Sequence, residues 1–155
     1  MILLYIIPGW FDLDGVPHIT AYIEIPKLKV RKKRIDFLMD TGADCTILSA
    51  KDAIDLEIPY KELKRNKFKN VTFQKMTGIG FGGKFKFYNL TCQDINIFFH
   101  TKNNEEITIS TENIQLLPIK NLKLLPESVL GRDILNYFEI NYNFKKTHLE
   151  LIGSM

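Results

Sequence analysis

The chain has 155 residues, and 45% of them are hydrophobic, which suffices for the core of one domain. A formal net charge of only +3 is well short of the charge of a dedicated nucleic-acid binder, and net charge alone does not identify a binding partner. The two cysteines lack CxxC spacing and the three histidines lack an HExxH pattern, which argues against a metal site. We therefore expect a single domain over residues 1–155 that binds no metal.

An apolar stretch opens the sequence, but it is too short to cross a membrane. Residues 1–7 are far fewer than the roughly 20 residues that a transmembrane helix needs. They also lack the basic region and the cleavage site of a signal peptide. We expect a cytoplasmic protein with no membrane partner, and we assign no structural role to residues 153–155.

The first part of the chain reads as short strands followed by one helix. Residues 18–25 alternate apolar and polar side chains, and residues 35–39 form a second apolar strand, so the two segments predict a hairpin. The turn between them, residues 27–34, carries six cations. Ser49 is placed to cap a short helix over residues 49–56.

The rest of the chain continues the β pattern and adds one more helix. Residues 129–138 space their apolar side chains like one face of a helix. Alternation predicts strands over residues 71–76, 84–90, 94–99, 107–110, 114–117, 139–143 and 147–152. The expected fold class is mainly β with one or two short helices.

One segment carries the pattern of a catalytic loop. Residues 37–48 have the sequence FLMDTGADCTIL, in which an apolar strand is followed directly by a turn that contains Asp40, Thr41 and Gly42. These three residue types also suit an ordinary turn, but the strand before them and the Ala43-Asp44 pair after them add context. The whole segment resembles the active-site loop of the retropepsin-like (retroviral-type) aspartic proteases.

A glycine-rich segment, residues 76–85 (MTGIGFGGKF), follows the loop. Its glycines match the GxGxxG pattern of a dinucleotide-binding loop. Such a loop opens a helix, whereas residues 84–90 continue as an alternating strand, so the pattern favours a hairpin. The hairpin resembles the flap that covers substrate in this family, and the resemblance assigns that role to Met76, Gly78, Ile79, Gly80 and Phe81.

A third segment, residues 129–135 (VLGRDIL), resembles the element that passes behind the catalytic loop in this family. Gly131 lacks a β-carbon and would let the backbone approach the loop closely. The resemblance places Arg132 beside Asp44 as a partly buried ion pair that supports the loop. Only one Asp-Thr-Gly occurs in the chain, whereas the two-lobed pepsin-like enzymes carry two such loops. The resemblance therefore implies a symmetric homodimer.

The function that the resemblance implies is that of an aspartic endopeptidase, with a closed, barrel-like β subunit and no cofactor. Asp40 of each subunit would share one proton at the dimer axis, so that one carboxyl group activates a water and the other protonates the peptide carbonyl. Thr41 would lock the two loops together, and Gly42 would leave room for a peptide or unfolded-protein substrate. Ala43 stands where pepsin-like enzymes place a serine that donates to the carboxylate, so we expect activity closer to neutral pH.

Two other functions stay open on the sequence. A protein of this fold could bind peptides without cleaving them, although such a binder has no need of Asp-Thr-Gly. A basic β domain built around residues 27–34 could bind nucleic acid, but no aromatic side chains are interleaved for base stacking, and we expect no nucleic-acid partner. The apolar segments 2–7 and 147–152 are expected to pair with those of a symmetry mate, because free apolar edges invite aggregation.

Overall fold

The structure, a computed structural model, describes residues 1–80, 83–119 and 127–155. The strands are β1 (Leu4–Pro8), β2 (Trp10–Phe11), β3 (Pro17–Ile25), β4 (Val30–Met39), β5 (Ile47–Leu48), β6 (Thr72–Gly80), β7 (Gly83–His100), β8 (Glu106–Leu116), β9 (Val129–Leu130), β10 (Glu139–Asn143) and β11 (His148–Ser154). The α-helices are α1 (Ala50–Asp55), α2 (Tyr60–Lys64) and α3 (Arg132–Leu135). The predicted mainly β fold is confirmed, with α2 as an additional short helix. No helix in the described ranges is long and apolar enough to span a bilayer.

Six strands close a barrel around the hydrophobic core. They follow one another as β3-β4-β9-β5-β8-β7, and a pairing between β7 and β3 closes the ring. Alternation along β3 and β7 turns one face of each strand inward. Fully buried side chains on these inner faces include Ile19, Ile23, Ile95 and Ile97. The closed, barrel-like subunit that the sequence predicts is confirmed.

A second sheet has the order β1-β11-β10, and all its neighbours are antiparallel. β11 lies in the middle, so strands of its own chain occupy both of its edges. The expectation that residues 147–152 pair directly with a symmetry mate is therefore wrong, whereas β1 has a strand neighbour on one side only among the described residues, and pairing of residues 2–7 with a second subunit stays a prediction. Residues 153 and 154 also have a structural role, contrary to expectation, because Gly153 pairs with Tyr5 and Ser154 with Leu4.

The basic segment is mainly strand rather than turn, which corrects the predicted hairpin tip. A 3-10 turn over Pro26–Leu28 reverses the chain, and β4 already begins at Val30. Three of the cations in β4 are engaged within the chain: Lys32 with the carboxylate of Glu106, Lys33 with the carbonyl of Asp55 and Arg34 with the carboxylate of Asp36. These contacts weaken the nucleic-acid alternative, since part of the charge is already used internally.

Two long strands replace several predicted short ones. β7 runs through residues 84–90 and 94–99 without ending, and an irregularity at Asp94, whose φ is 57°, absorbs the break in alternation. β8 likewise joins residues 107–110 to residues 114–116. Alternation predicts the segments on both sides of each break, and the pairing of β7 with β8 resumes after a register shift between Thr91 and Ile95, so the two segments belong to one strand.

The sequence locates one helix start and misplaces another. Ser49 caps α1 by accepting the N–H of Asp52 at 3.1 Å, as predicted. The helix expected over residues 129–138 begins only at Arg132, because the residues before it form β9 between β4 and β5. A short strand that is buried on both sides shows no alternation that would distinguish it from a helix.

Candidate active site

Asp40 stands at the end of β4, where a parallel neighbour fixes the main chain. Met39 of β4 lies beside Leu130 of β9. Asp40 then donates its N–H to the carbonyl of Leu130 at 3.1 Å, after which the chain leaves the sheet in a turn. Pairing with β9 therefore sets the position from which the Asp40 side chain projects.

The turn orients the Asp40 carboxylate through the backbone. Gly42 donates its N–H to Asp40 Oδ1 at 2.8 Å, and Ala43 donates its N–H to the Asp40 carbonyl at 3.2 Å. A β-carbon on Gly42 would lie 3.1 Å from the same carboxylate oxygen and would crowd it. Asp40 is half-buried, whereas Thr41 and Gly42 are exposed. The turn thus presents one oriented carboxylate near the surface.

Asp40 opens onto a cavity of about 390 Å³. The residues that line it with Asp40 are Pro17, Met39, Thr41, Ile140 and Tyr142. Asp40 is the sole carboxylate in this lining, as far as the described part of the chain extends. A reaction that needs an acid and a base side by side therefore lacks its second group within one copy of the chain.

Gly131 lies directly behind the loop, as the sequence predicts. A β-carbon at this position would come within 2.5 Å of the carbonyl carbon and oxygen of Cys45. The next residue joins the loop main chain, because Arg132 donates its N–H to the carbonyl of Ala43 at 2.8 Å. The absence of a side chain at Gly131 lets β9 and α3 pack against the back of the loop.

The guanidinium of Arg132 contacts the carboxylate of Asp44. Both side chains lie largely in solvent, with exposed fractions of 50% and 80%. Water screens such a pair, so its contribution to stability is below about 1 kcal/mol. The expected partly buried ion pair is corrected to an exposed one that adds little to the stability of the loop.

A buried hydrogen-bond cluster, which the sequence reasoning missed, connects the loop to α3. Asp133 accepts the N–H of Thr46 at 3.0 Å and the hydroxyl of Thr46 at 2.8 Å, one on each carboxylate oxygen. The Thr46 hydroxyl accepts the N–H of Gly131 at 3.2 Å, and Thr46 is 1% exposed. Asp133 also donates its own N–H to the carbonyl of Asp44 at 3.2 Å. The local signal was a polar Thr46 directly before the apolar β5.

A second buried cluster holds α1 against the strand that carries Asp40. Ser128, just before β9, donates its hydroxyl to the carboxylate of Asp52 at 2.5 Å and accepts the N–H of Ser49 at 2.9 Å. The carbonyl of Ser128 accepts the N–H of Leu38 at 2.8 Å, two residues before Asp40. Local sequence patterns predict only the capping role of Ser49, because its contact with Ser128 spans 79 positions of the chain.

The glycine-rich segment is a hairpin, and its strands stay paired to the tip. Ile79 lies opposite Lys84, and Gly80 lies opposite Gly83. Ile79 is 84% exposed. Because β7 continues as a strand, the segment does not open the helix that a dinucleotide-binding loop requires. Phe81, which the resemblance also assigns to the flap, lies outside the described residues.

The two faces of the hairpin differ in chemistry. Strand register places Met76, Gly78, Phe85 and Phe87 on one face. A β-carbon on Gly78 would lie 2.9 Å from the Phe85 ring, so the glycine makes room for the aromatic side chains. The opposite face carries Lys75, Thr77, Ile79, Lys84 and Lys86. One face is thus apolar and glycine-containing, and the other is cationic.

The thiols are weak competitors of Asp40 as reactive groups. Burial raises the pKa of the Cys45 thiol, and the charge of Asp133 raises it further. Burial also raises the pKa of the Cys92 thiol, against an opposing effect of Lys27. A thiol with a raised pKa is a poor nucleophile at neutral pH. The described residues contain no cluster of three His, Cys, Asp or Glu side chains that would suit a metal ion.

Comparison with known families assigns the chain to a class. A family model described as "Aspartyl protease" matches residues 27–134, a range that includes the Asp40 turn, the β6–β7 hairpin and Gly131. The match covers more than half of the chain, and this protein belongs to the aspartyl protease family. A search of curated proteins finds no significant match.

Solved structures resemble the fold. A retropepsin-like aspartic protease from Rickettsia conorii matches with a TM-score of 0.58 and 20% identity, over 99% of this chain and 95% of that chain. EIAV protease in complex with the inhibitor HBY-793 matches with a TM-score of 0.43 and 20% identity, over 81% of this chain and 90% of that chain. The first of these likenesses shows that the chain has the retropepsin-like fold.

Proposed function

We propose that this protein is an aspartic endopeptidase that acts as a homodimer, with Asp40 of each subunit at the two-fold axis. The observation that carries the proposal is the single Asp40 carboxylate, oriented by the Asp-Thr-Gly turn and open to a cavity of about 390 Å³. Membership of the aspartyl protease family supports the reaction class. Pairing two copies supplies the second carboxyl group that one copy lacks.

The mechanism follows from bringing two Asp40 carboxyl groups together. Two carboxyl groups a few ångströms apart do not both ionise readily, so the pair shares one proton. The ionised member takes a proton from the attacking water, and the protonated member donates to the carbonyl oxygen of the scissile peptide bond. The Gly42 N–H, 2.8 Å from Asp40 Oδ1, would keep each carboxyl group in a fixed orientation. No step requires a metal or an organic cofactor.

Apolar side chains near Asp40 support a second subunit at this face. Ile140 and Tyr142 line the Asp40 cavity and are 36% and 51% exposed. They belong to β10, which is an edge strand of its sheet in the described part of the chain. Exposed apolar side chains on an edge strand mark a surface that another chain can cover. Thr41, exposed beside Asp40, would contact the loop of the partner subunit.

If the hairpin covers the Asp40 loop, as the resemblance to the retropepsin-like proteases implies, the substrate that suits the site is an extended peptide. The substrate would bind as an added strand, so that main-chain hydrogen bonds give affinity and side-chain pockets give preference. The hairpin would act as the flap, through Met76, Gly78, Ile79, Gly80 and Phe81. Gly78 carries no side chain that would keep its backbone from the peptide.

Replacement of the carboxylate tests the proposal. Wild type and Asp40→Asn are incubated with a peptide mixture, with and without pepstatin as a transition-state mimic, and the products are read by mass spectrometry. We expect cleavage by wild type only, because the amide cannot accept the proton of the water. The dimer should persist in Asp40→Asn and resist alkaline pH better, since the amide removes the repulsion between two carboxylates.

Sedimentation of the same samples across pH measures whether they are dimers, and together with the cleavage assay it distinguishes the possible outcomes. Cleavage by Asp40→Asn at the wild-type rate would show that Asp40 is not the acid-base residue. A wild type that binds peptides but cleaves none would point instead to a peptide-binding module. An active wild type that sediments as a monomer would refute the shared dyad.

A further inference from the structure

The hairpin and the residues before it carry many cations, and these charges have no role in the proposed reaction. Residues 60–86 contain eight cations and one acid, Glu62. The cations are all exposed: Lys61, Lys64, Arg65, Lys67, Lys69, Lys75, Lys84 and Lys86. Within the described ranges, none of the eight lies in an ion pair with a carboxylate. This contrasts with β4, where Lys32 and Arg34 both have carboxylate partners.

Strand register places three of these cations on one side of the hairpin, and α2 adds a fourth. Residues directly opposite each other in antiparallel strands point to the same face, and side chains alternate along each strand. Three lysines share the face of Tyr88 by this register: Lys75 lies opposite Tyr88, Lys86 opposite Thr77 and Lys84 opposite Ile79. Lys64 reaches the same face from α2, with its Nζ 5.4 Å from the centre of the Tyr88 ring. We name Lys64, Lys75, Lys84 and Lys86 the cationic face.

We propose that the cationic face binds an acidic segment of a polypeptide substrate, outside the residues that enter the cleft. Four like charges on one face, without carboxylate partners among the described residues, repel one another, and an acidic partner would remove that repulsion. The opposite face of the hairpin, with Met76 and Phe85, is left for the residues next to the scissile bond. The inference rests on the proposed endopeptidase activity, because it places the substrate class on the hairpin of that site.

The chemistry of this face favours an acidic polypeptide over nucleic acid or a membrane. Base stacking needs exposed rings, but Tyr88 is 7% exposed and stacks on Phe73, with ring centres 4.3 Å apart. Membrane insertion needs a larger apolar area than Ile79, the one large apolar side chain exposed on this face among the described residues. Charge complementarity without stacking or insertion is what an Asp- and Glu-rich segment requires.

A pair of peptides tests this binding mode. Both contain the same cleavable sequence, found first in the peptide mixture, followed by a flexible Gly/Ser linker of about eight residues that spans roughly 16 Å. One peptide ends in six glutamates, and the other ends in six glutamines. The readout is the ratio of kcat/KM for the acidic peptide to kcat/KM for the neutral one, so a general change in activity cancels.

The variants differ in where charge is removed. The test variant is Lys64→Gln, Lys75→Gln and Lys86→Gln together. The control variant removes the same charge elsewhere, by Lys29→Gln, Arg31→Gln and Lys51→Gln, at positions that are all exposed. We expect a ratio of about 10 for wild type and control at low salt and a ratio near 1 for the test variant. In about 1 M salt the wild-type ratio should also fall to near 1, because screening then acts within about 3 Å.

A direct measurement of peptide binding tests this inference independently of the proposed endopeptidase activity. Fluorescence anisotropy measures binding of the glutamate peptide to wild type and to both variants. A wild-type ratio near 1 at low salt overturns the inference while leaving the endopeptidase standing. If wild type cleaves nothing in the peptide mixture, the proposed activity is refuted, whereas salt-dependent binding of a six-glutamate peptide that only the test variant loses still supports the cationic face. Tighter binding of single-stranded RNA, or of phosphatidylserine vesicles, than of the glutamate peptide would overturn the assignment to polypeptide.

Discussion

Thr46→Val is expected to destabilise the protein by about 2–4 kcal/mol, because a buried hydroxyl that makes two hydrogen bonds is replaced by a methyl group that makes none. Valine keeps the shape of the side chain, and Thr46 is 1% exposed, so water cannot replace what is lost. The N–H of Gly131 loses its partner at 3.2 Å, and a buried unsatisfied donor costs about 1–3 kcal/mol. The bond to Asp133 at 2.8 Å involves a carboxylate, and its loss costs about 1.5–3 kcal/mol. The total loss of stability is smaller than these two losses added together, since Asp133 still accepts the N–H of Thr46 at 3.0 Å.

Urea unfolding of wild type, Thr46→Val and Thr46→Ser measures this effect. Serine keeps the hydroxyl and loses one methyl group, so it should cost about 1 kcal/mol, through the loss of buried apolar volume. Cleavage assays on folded protein should show a lower kcat for Thr46→Val than for Thr46→Ser, because the loop that carries Asp40 loses its link to α3. Equal stability of the two variants would refute the claim that the hydroxyl, rather than packing, holds the loop.

Three further substitutions test the surroundings of the loop. Gly131→Ala should destabilise the fold by about 1–3 kcal/mol, since the added methyl group would lie 2.5 Å from loop backbone; an unchanged melting temperature in calorimetry would mean that the loop has room to move. Arg132→Ala should cost less than about 1 kcal/mol in urea titration, because its pair with Asp44 is exposed, and a much larger loss would contradict that exposure. Ala43→Ser should move the pH profile of cleavage downward, because a hydroxyl that donates to Asp40 favours the ionised carboxylate; an identical profile would show that no such bond forms.

Features set by neighbouring residues could be read from the sequence. The alternation of β3 and the cap at Ser49 depend on side chains a few positions apart, and both are present in the structure. The Asp40 turn and Gly131 came from their resemblance to a family, and the structure brings both to one site. Local patterns and a recognised motif thus located the elements on which the site is built.

Features set by distant residues could not be read in this way. Thr46 and Asp133 are separated by 87 positions, so no local sequence pattern predicts the hydrogen bonds between them. The apolar pair that forms β9 suits a helix face as well as a strand, and only its burial between β4 and β5 decides the outcome. The exposure of Arg132 likewise depends on how much protein surrounds it, which the identity of its partner does not reveal.

The central position of β11 in the three-stranded sheet has a consequence for synthesis of the chain. β1 is translated before its partner β11, which ends at residue 154, and the whole barrel separates the two strands along the sequence. During translation the apolar β1 must stay unpaired until β11 has left the ribosome. Contacts between such distant segments form slowly, because a long loop must close first. A nascent chain that stops within β11 would therefore leave β1 as an open strand, able to associate with other unfinished chains.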